Sequence, residues 1–112
     1  MERKILAYGK HYETFMKTLG DKERNKIRKA LLLFSREDRI PYHYIKYIRD
    51  SVFEFRVNFS NNEFRIFFIY DGKDTIVLLN CFKKKTKITP QNEIEKAIRL
   101  KNEYKKEKYG TI

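Results

Sequence analysis

From Val52 to Tyr70 apolar side chains recur at every second position, the period of a β-strand with one buried face. Phe53, Phe55, Val57 and Phe59 fall on one side of the first stretch, and Glu54, Arg56 and Asn58 on the other. After Ser60-Asn61-Asn62 the pattern repeats, with Phe64, Ile66, Phe68 and Tyr70 inward and Arg65 outward beside Phe67 and Ile69. Asp71-Gly72 supplies a tight turn, and Thr75–Phe82 is almost continuously apolar, as in a strand covered on both faces. Ile45–Ile48 adds a short strand before a turn at Arg49-Asp50-Ser51. Residues 45–90 therefore read as an antiparallel meander, and a basic residue on the outward face of both long strands makes that face a candidate anion site.

Outside the meander the period becomes helical. Lys4–Tyr8 predicts a short edge strand; from Lys10 onward Tyr12, Phe15, Met16 and Leu19 lie at helical spacing, and Gly20 marks a stop. Asp21 suits the N-cap of a second helix, with Ile27, Ala30, Leu31 and Phe34 on one stripe and Lys22, Arg24, Lys26, Arg28 and Lys29 facing water. Ser35–Tyr44 reads as a loop. Thr89-Pro90 signals a last helix, a hydroxyl cap followed by proline, with Ile94, Ala97, Ile98 and Tyr104 buried and Glu95 supporting Arg99. Lys105–Ile112 is expected to fray. The whole is an α+β fold: a small antiparallel β-meander sheet packed against an N-terminal helical hairpin, with a C-terminal helix.

At 112 residues, 41% of them hydrophobic, the chain holds enough apolar material for one core and not two, so 1–112 reads as one domain. Charge narrows the function. Lys and Arg number 26 against 15 Asp and Glu, a formal net charge of +11, which calls for an anionic partner, nucleic acid above all. The single Cys81, inside an apolar strand, excludes an internal disulfide and reads as a small core residue. The N-terminus carries no signal-peptide pattern and no segment has about 20 apolar residues, so a cytoplasmic protein is expected.

Motifs for other chemistries are missing. The four glycines form no phosphate loop, no His/Cys set has zinc-ligand spacing, and no metal or other cofactor is expected. His11 and His43 are far apart and read as surface residues. Any chemistry falls to arginine and lysine.

The run Phe53-Glu54-Phe55-Arg56-Val57, then Phe64-Arg65-Ile66-Phe67-Phe68, then Leu78–Thr86 ahead of Thr89-Pro90 and a helix resembles the RelE/ParE toxin superfamily, and within it the HigB-like, phage-derived branch. The resemblance spans nearly the whole chain. It implies the toxin of a type II toxin–antitoxin pair, an endoribonuclease that cleaves mRNA on the ribosome, partnered by a helix-turn-helix antitoxin from the same operon. By position it implies that Arg56 and Arg65 face the scissile phosphate, that Lys83 or Lys84 is the basic residue after the last strand, and that Lys46 is the one before the meander. Members place a tyrosine or histidine acid near the end of the site; here Thr86–Pro90 offers neither.

In that scheme the ribose 2′-hydroxyl attacks its neighbouring phosphate, and the arginines hold the charge that builds on the phosphoryl oxygens. A lysine among other cations, Lys83, Lys84 or Lys46, serves as base or acid. Glu54 orients Arg56, or takes a proton, or forms a cross-strand salt bridge on a solvated face. Arg49, Lys85 and Lys87 are expected on RNA phosphates, and Tyr42, Tyr44 and Tyr47 suit either base stacking or packing at the edge of the core. Two alternatives stay open: a non-catalytic RNA- or ribosome-binding protein or degenerate toxin, and a ParE-like inhibitor of DNA gyrase.

Overall fold

The computed structural model describes residues 2–110. In chain order they form β1 (Lys4–Ala7), α1 (His11–Lys17), α2 (Asp21–Arg36), β2 (Ile45–Arg49), β3 (Val52–Phe59), β4 (Asn62–Tyr70), β5 (Thr75–Lys84) and α3 (Gln91–Tyr109). The sheet has the order β1-β5-β4-β3-β2; β1 lies parallel to β5, and the other pairs are antiparallel. The expected meander, helical hairpin and last helix are all present. The edge strand β1 makes the sheet mixed.

Both faces of the sheet are covered. Phe55, Val57, Phe64, Ile66, Phe68, Ile76 and Leu78 meet Met16, Ile27, Leu31 and Phe34 of the hairpin. Behind them Val52, Phe67, Ile69, Val77, Leu79 and Phe82 meet Ile94, Ala97 and Leu100 of α3. This corrects the expectation that the side bearing Glu54 and Arg65 faces water. An apolar stripe on α3 needs a partner, and Phe67 and Ile69, flanking the arginine, supply it.

A β-bulge decides which lysine lies on which face. In the β4–β5 ladder Ile66 opposes Cys81 and Phe68 opposes Leu78, so two residues of β5, Leu79 and Asn80, stand against Phe67 alone. A one-residue shift reverses the parity of everything after it. Before the bulge Val77 and Leu79 face α3; beyond it Phe82 does, and Lys84, opposite Glu63, follows Phe82. Lys83, opposite Phe64, takes the hairpin side.

The helix ends differ from expectation in detail. Gly20, not Asp21, caps α2, donating its backbone N–H to Glu23 Oε1 at 3.1 Å, and Asp21 opens the helix. Arg24, expected to face water, reaches back to the carbonyls of Met16 and Leu19. Pro90 caps α3 and Thr89 gives it no side-chain hydrogen bond. Arg99 pairs at 3.6 Å with Glu103, not Glu95. The predicted fraying from Lys105 is replaced by helix through Tyr109; 111–112 lie outside the described residues. Asp71 holds that end down, accepting hydrogen bonds from Tyr104 (2.5 Å), Lys108 (2.8 Å) and Tyr109, while Tyr8 donates to Glu107 at 2.9 Å.

The hydrogen bonds from Lys108, Tyr104 and Tyr109 lower the Asp71 pKa from 3.8 to about 2. A depressed carboxylate stabilises the fold above its unfolded pKa and loses that contribution as pH falls through the folded one. The end of α3 should therefore loosen between about pH 4 and pH 2, seen as faster amide exchange over residues 104–109, and Asp71→Asn should already show it at neutral pH. The β2–β3 turn places Asp50 at φ 51° and Ser51 at φ 67°, the left-handed region that glycine occupies without strain. Ser51→Gly should raise stability by about 0.5–1 kcal/mol in urea unfolding.

Candidate functional site

Adjacent rungs of the sheet set the site. On the α3 face Lys46 of β2 stands opposite Glu54 of β3; on the next rung Arg56 stands opposite Arg65, and Arg65 opposite Phe82. Like charges directly opposed across a ladder repel. Glu54 offsets the repulsion. Its Oε1 lies 3.3 Å from Arg56 Nε and 3.8 Å from Arg65 Nε, and its side chain is fully buried. These are ion pairs without good hydrogen-bond alignment, for neither Nε nor Oε1 has a hydrogen-bond partner among the described residues. The other carboxylate oxygen, Oε2, accepts from the Thr89 hydroxyl at 3.2 Å.

The two strand arginines then part company. Arg65 is 3% exposed and spends its guanidinium inside the protein, on Glu63 (2.6 Å), the Phe64 carbonyl (3.0 Å) and Asn58 (3.3 Å). That corrects the expectation that both arginines turn outward to a phosphate. Arg56 is 31% exposed, and its Nη groups have no partner among the described residues. Glu54, expected on a solvated face, is the anion that holds both.

Arg56 opens into a groove of about 380 Å³ walled by Lys46, Lys84 and Lys87 and closed at the helix end by Thr89 and Gln91. No carboxylate lines it. Four cations, from β2, β3, β5 and the β5–α3 connection, converge there, Lys84 because the bulge turns it to the α3 face. Such a groove can take an anion with several oxygens: Arg56 offers a planar fork and the lysines movable point charges. Lys84 and Lys87 also border a wider hollow of about 760 Å³, which gathers Lys83, Lys85 and Asn61 at the end of the sheet. The structure thus separates Lys83 from Arg56 and brings Lys84 to it.

The remaining candidates lie further out. Arg49 pairs with Asp50 at 3.1 Å and does not line the groove. Tyr47 borders it, 56% exposed, with its ring edge-on to Phe53 at 5.1 Å. Tyr44 stacks on Phe55 at 5.9 Å as edge packing, whereas Tyr42 is exposed. Burial pushes the Cys81 thiol up to about 12, as suits a core residue. Among the described residues no three of the His, Cys, Asp or Glu side chains are grouped to hold a metal, and no helix is long and apolar enough to cross a membrane. Sequence reasoning missed Thr89 as part of this site. It looked like a helix cap, and nothing in a linear pattern marks a hydroxyl that serves a carboxylate 35 positions earlier.

A mixed five-stranded sheet with a helical hairpin on one face and α3 on the other defines a small α+β protein whose groove beside α3 presents four cations and no carboxylate. A family model described as "Phage derived protein Gp49-like (DUF891)" matches residues 14–102, from α1 to α3. The chain belongs to that family, which is related to the RelE/HigB-like toxins. No curated protein matches it.

Removing one partner of a buried ion pair leaves an uncompensated charge. Glu54→Ala should therefore cost about 3–5 kcal/mol in urea unfolding, the penalty for leaving the Nε groups of Arg56 and Arg65 opposed across the ladder with no carboxylate between them. Thr89→Val, which removes one neutral donor to the same carboxylate, should cost about 1 kcal/mol.

Proposed function

We propose that the chain is the toxin of a type II toxin–antitoxin pair and that it cleaves mRNA on the ribosome in the groove around Arg56. The observation that carries this reading is the convergence of Arg56, Lys46, Lys84 and Lys87 on one groove without a carboxylate. Membership of the phage-derived Gp49-like family supports the coarser part, a toxin with an antitoxin partner. The partner on this reading is a helix-turn-helix protein from the same operon, and mRNA and ribosomal RNA are the anions.

The chemistry follows from the charges. As the 2′-hydroxyl attacks, negative charge grows on the phosphoryl oxygens, and Arg56, fixed by Glu54, meets it with its free Nη groups. Lys46 stands on the rung beside Arg56 and Lys84 near its open side, so one lysine takes the 2′-hydroxyl proton and another gives a proton to the departing 5′-oxygen. No histidine lines the groove, so lysine does both tasks on this reading. Arg65 and Glu54 act indirectly, by holding Arg56. Lys83 and Lys85, on the adjoining hollow, hold RNA phosphates further along the strand.

A specific observation favours a second reading. Tyr47 is the one group of the groove's lining besides lysine and arginine that ionises, and its ring packs on Phe53. A groove of cations alone also suits an RNA-binding protein that blocks translation without cutting.

Inducible expression with primer extension on a reporter mRNA tests the proposal. The expected result is growth arrest with discrete cuts, reduced about 10²–10³-fold in Arg56→Ala and strongly in Lys84→Ala. Lys83→Ala should retain cutting. Arrest with intact mRNA and blocked translation favours the non-cutting binder. Arrest with intact mRNA and stalled DNA replication leaves gyrase inhibition.

A further inference from the structure

A separate cleft lies on the other flank of α3. The ladder between β1 and β5 ends at Ala7 and Leu78, with a last bond from the Tyr8 N–H to the Leu78 carbonyl at 2.9 Å. The chain then turns away at Gly9, whose φ of +65° only glycine adopts freely, and a Cβ there would sit 3.3 Å from the His11 ring. Beyond this point no strand among the described residues lies along β5 on the β1 side, and a cavity of about 330 Å³ opens between α1, β5 and α3.

Its lining is chemically selective. Lys10, His11 and Lys96 bring basic groups from two sides, Phe15 and Cys81 form an apolar wall, and no carboxylate takes part. At its base is Asn80, 1% exposed and turned toward α3 by the bulge. Its Nδ2 donates to the Glu93 carbonyl (3.0 Å) and to Glu93 Oε1 (2.9 Å), which fixes the orientation of the amide. The Oδ1 is then a buried acceptor without a partner among the described residues. Such an atom is costly unless something donates to it.

We infer that this cleft is a second binding site, for a nucleoside monophosphate unit: the phosphate on Lys10, His11 and Lys96, the sugar or base against Phe15 and Cys81, and a ligand N–H or O–H on Asn80 Oδ1. The volume falls in the range of small-ligand sites, about 300–1,000 Å³. A phosphate satisfies the clustered cations, and the body attached to it satisfies the apolar wall and the orphan acceptor. An inorganic anion alone meets only the first need. The unit is either a free nucleotide or one residue of an RNA strand.

His11 is a built-in reporter. Burial lowers its pKa below the usual 6.5, and Lys96 and Arg99 of α3 add to this against the opposing pull of Glu103. Of the carboxylates on this flank of α3, Glu93 is held by Asn80, Glu103 by Arg99 and Glu107 by Tyr8. A phosphate placed among these cations reverses the balance and stabilises the imidazolium. Binding should therefore raise the His11 pKa.

The chain has only two histidines, so their ring signals are followed directly by NMR during a pH titration of the full-length protein. With AMP at about 1 mM, the His11 pKa should rise, and the ring signals of His43 should be the same with and without the ligand. Lys96→Ala should weaken this binding at least tenfold, and Lys46→Ala, in the RNA groove, should leave it unchanged. This site stands whether or not the groove cleaves RNA. A response to AMP marks a free-nucleotide site, and a response to a short oligoribonucleotide alone marks an RNA contact; both support the inference. No movement of His11 with either ligand, equal movement of both histidines, or an equal response to glutamate would overturn it.

Discussion

The structure turns on one carboxylate. Glu54 lies fully buried between two guanidinium groups that the β3–β4 ladder forces face to face, and without it Arg56 and Arg65 would repel across the sheet. A buried ion pair is weak as a source of stability and strict as a constraint on geometry. Here the geometry matters more. By taking the Nε of both arginines, Glu54 leaves Arg65 to be consumed inside and Arg56 with its outer nitrogens directed to the groove.

The same carboxylate reaches the second half of the site. Thr89, the residue before the Pro90 cap, donates to its free oxygen, so the connection that carries Lys87 is tied to the strand that carries Arg56. The bulge at Leu79–Asn80 supplies the remaining cation by reversing the parity of β5. A local irregularity thus does two things: it turns Lys84 to the groove and Asn80 to α3. Sheet, bulge and helix start combine to focus positive charge on a small area of a strongly basic protein.

Much of the fold was legible in the sequence because alternation and helical spacing are local signals. Phe53, Phe55, Val57 and Phe59 lie on the face expected of them, and the stripe through Ile27, Ala30, Leu31 and Phe34 packs as its spacing requires. The site was less legible, for a physical reason. Alternation says that Arg65 and Phe67 share a face, and not that the helix starting at Gln91 will bury that face. Parity counted along β5 misplaces Lys84, since a bulge leaves no mark in an apolar run. Thr89-Pro90 marks the start of α3 correctly, yet the hydroxyl serves Glu54 and not the helix. Resemblance to RelE-like toxins pointed to Arg56 and Arg65, to Lys83 or Lys84, and to Lys46; the structure gathers Arg56, Lys46 and Lys84 in one groove, whereas Lys83 and Arg65 go elsewhere.

The central claim is that Arg56, and not Arg65, meets the phosphate of a bound RNA. The direct measurement is NMR of the arginine side-chain Nε–H groups while a short 2′-deoxy-substituted, uncleavable RNA is added. The account predicts that the Arg56 signal moves in step with those of the Lys84 and Lys46 side chains, and that Arg65 stays where it is. Equal movement of Arg65, or a still Arg56 beside bound RNA, would contradict it.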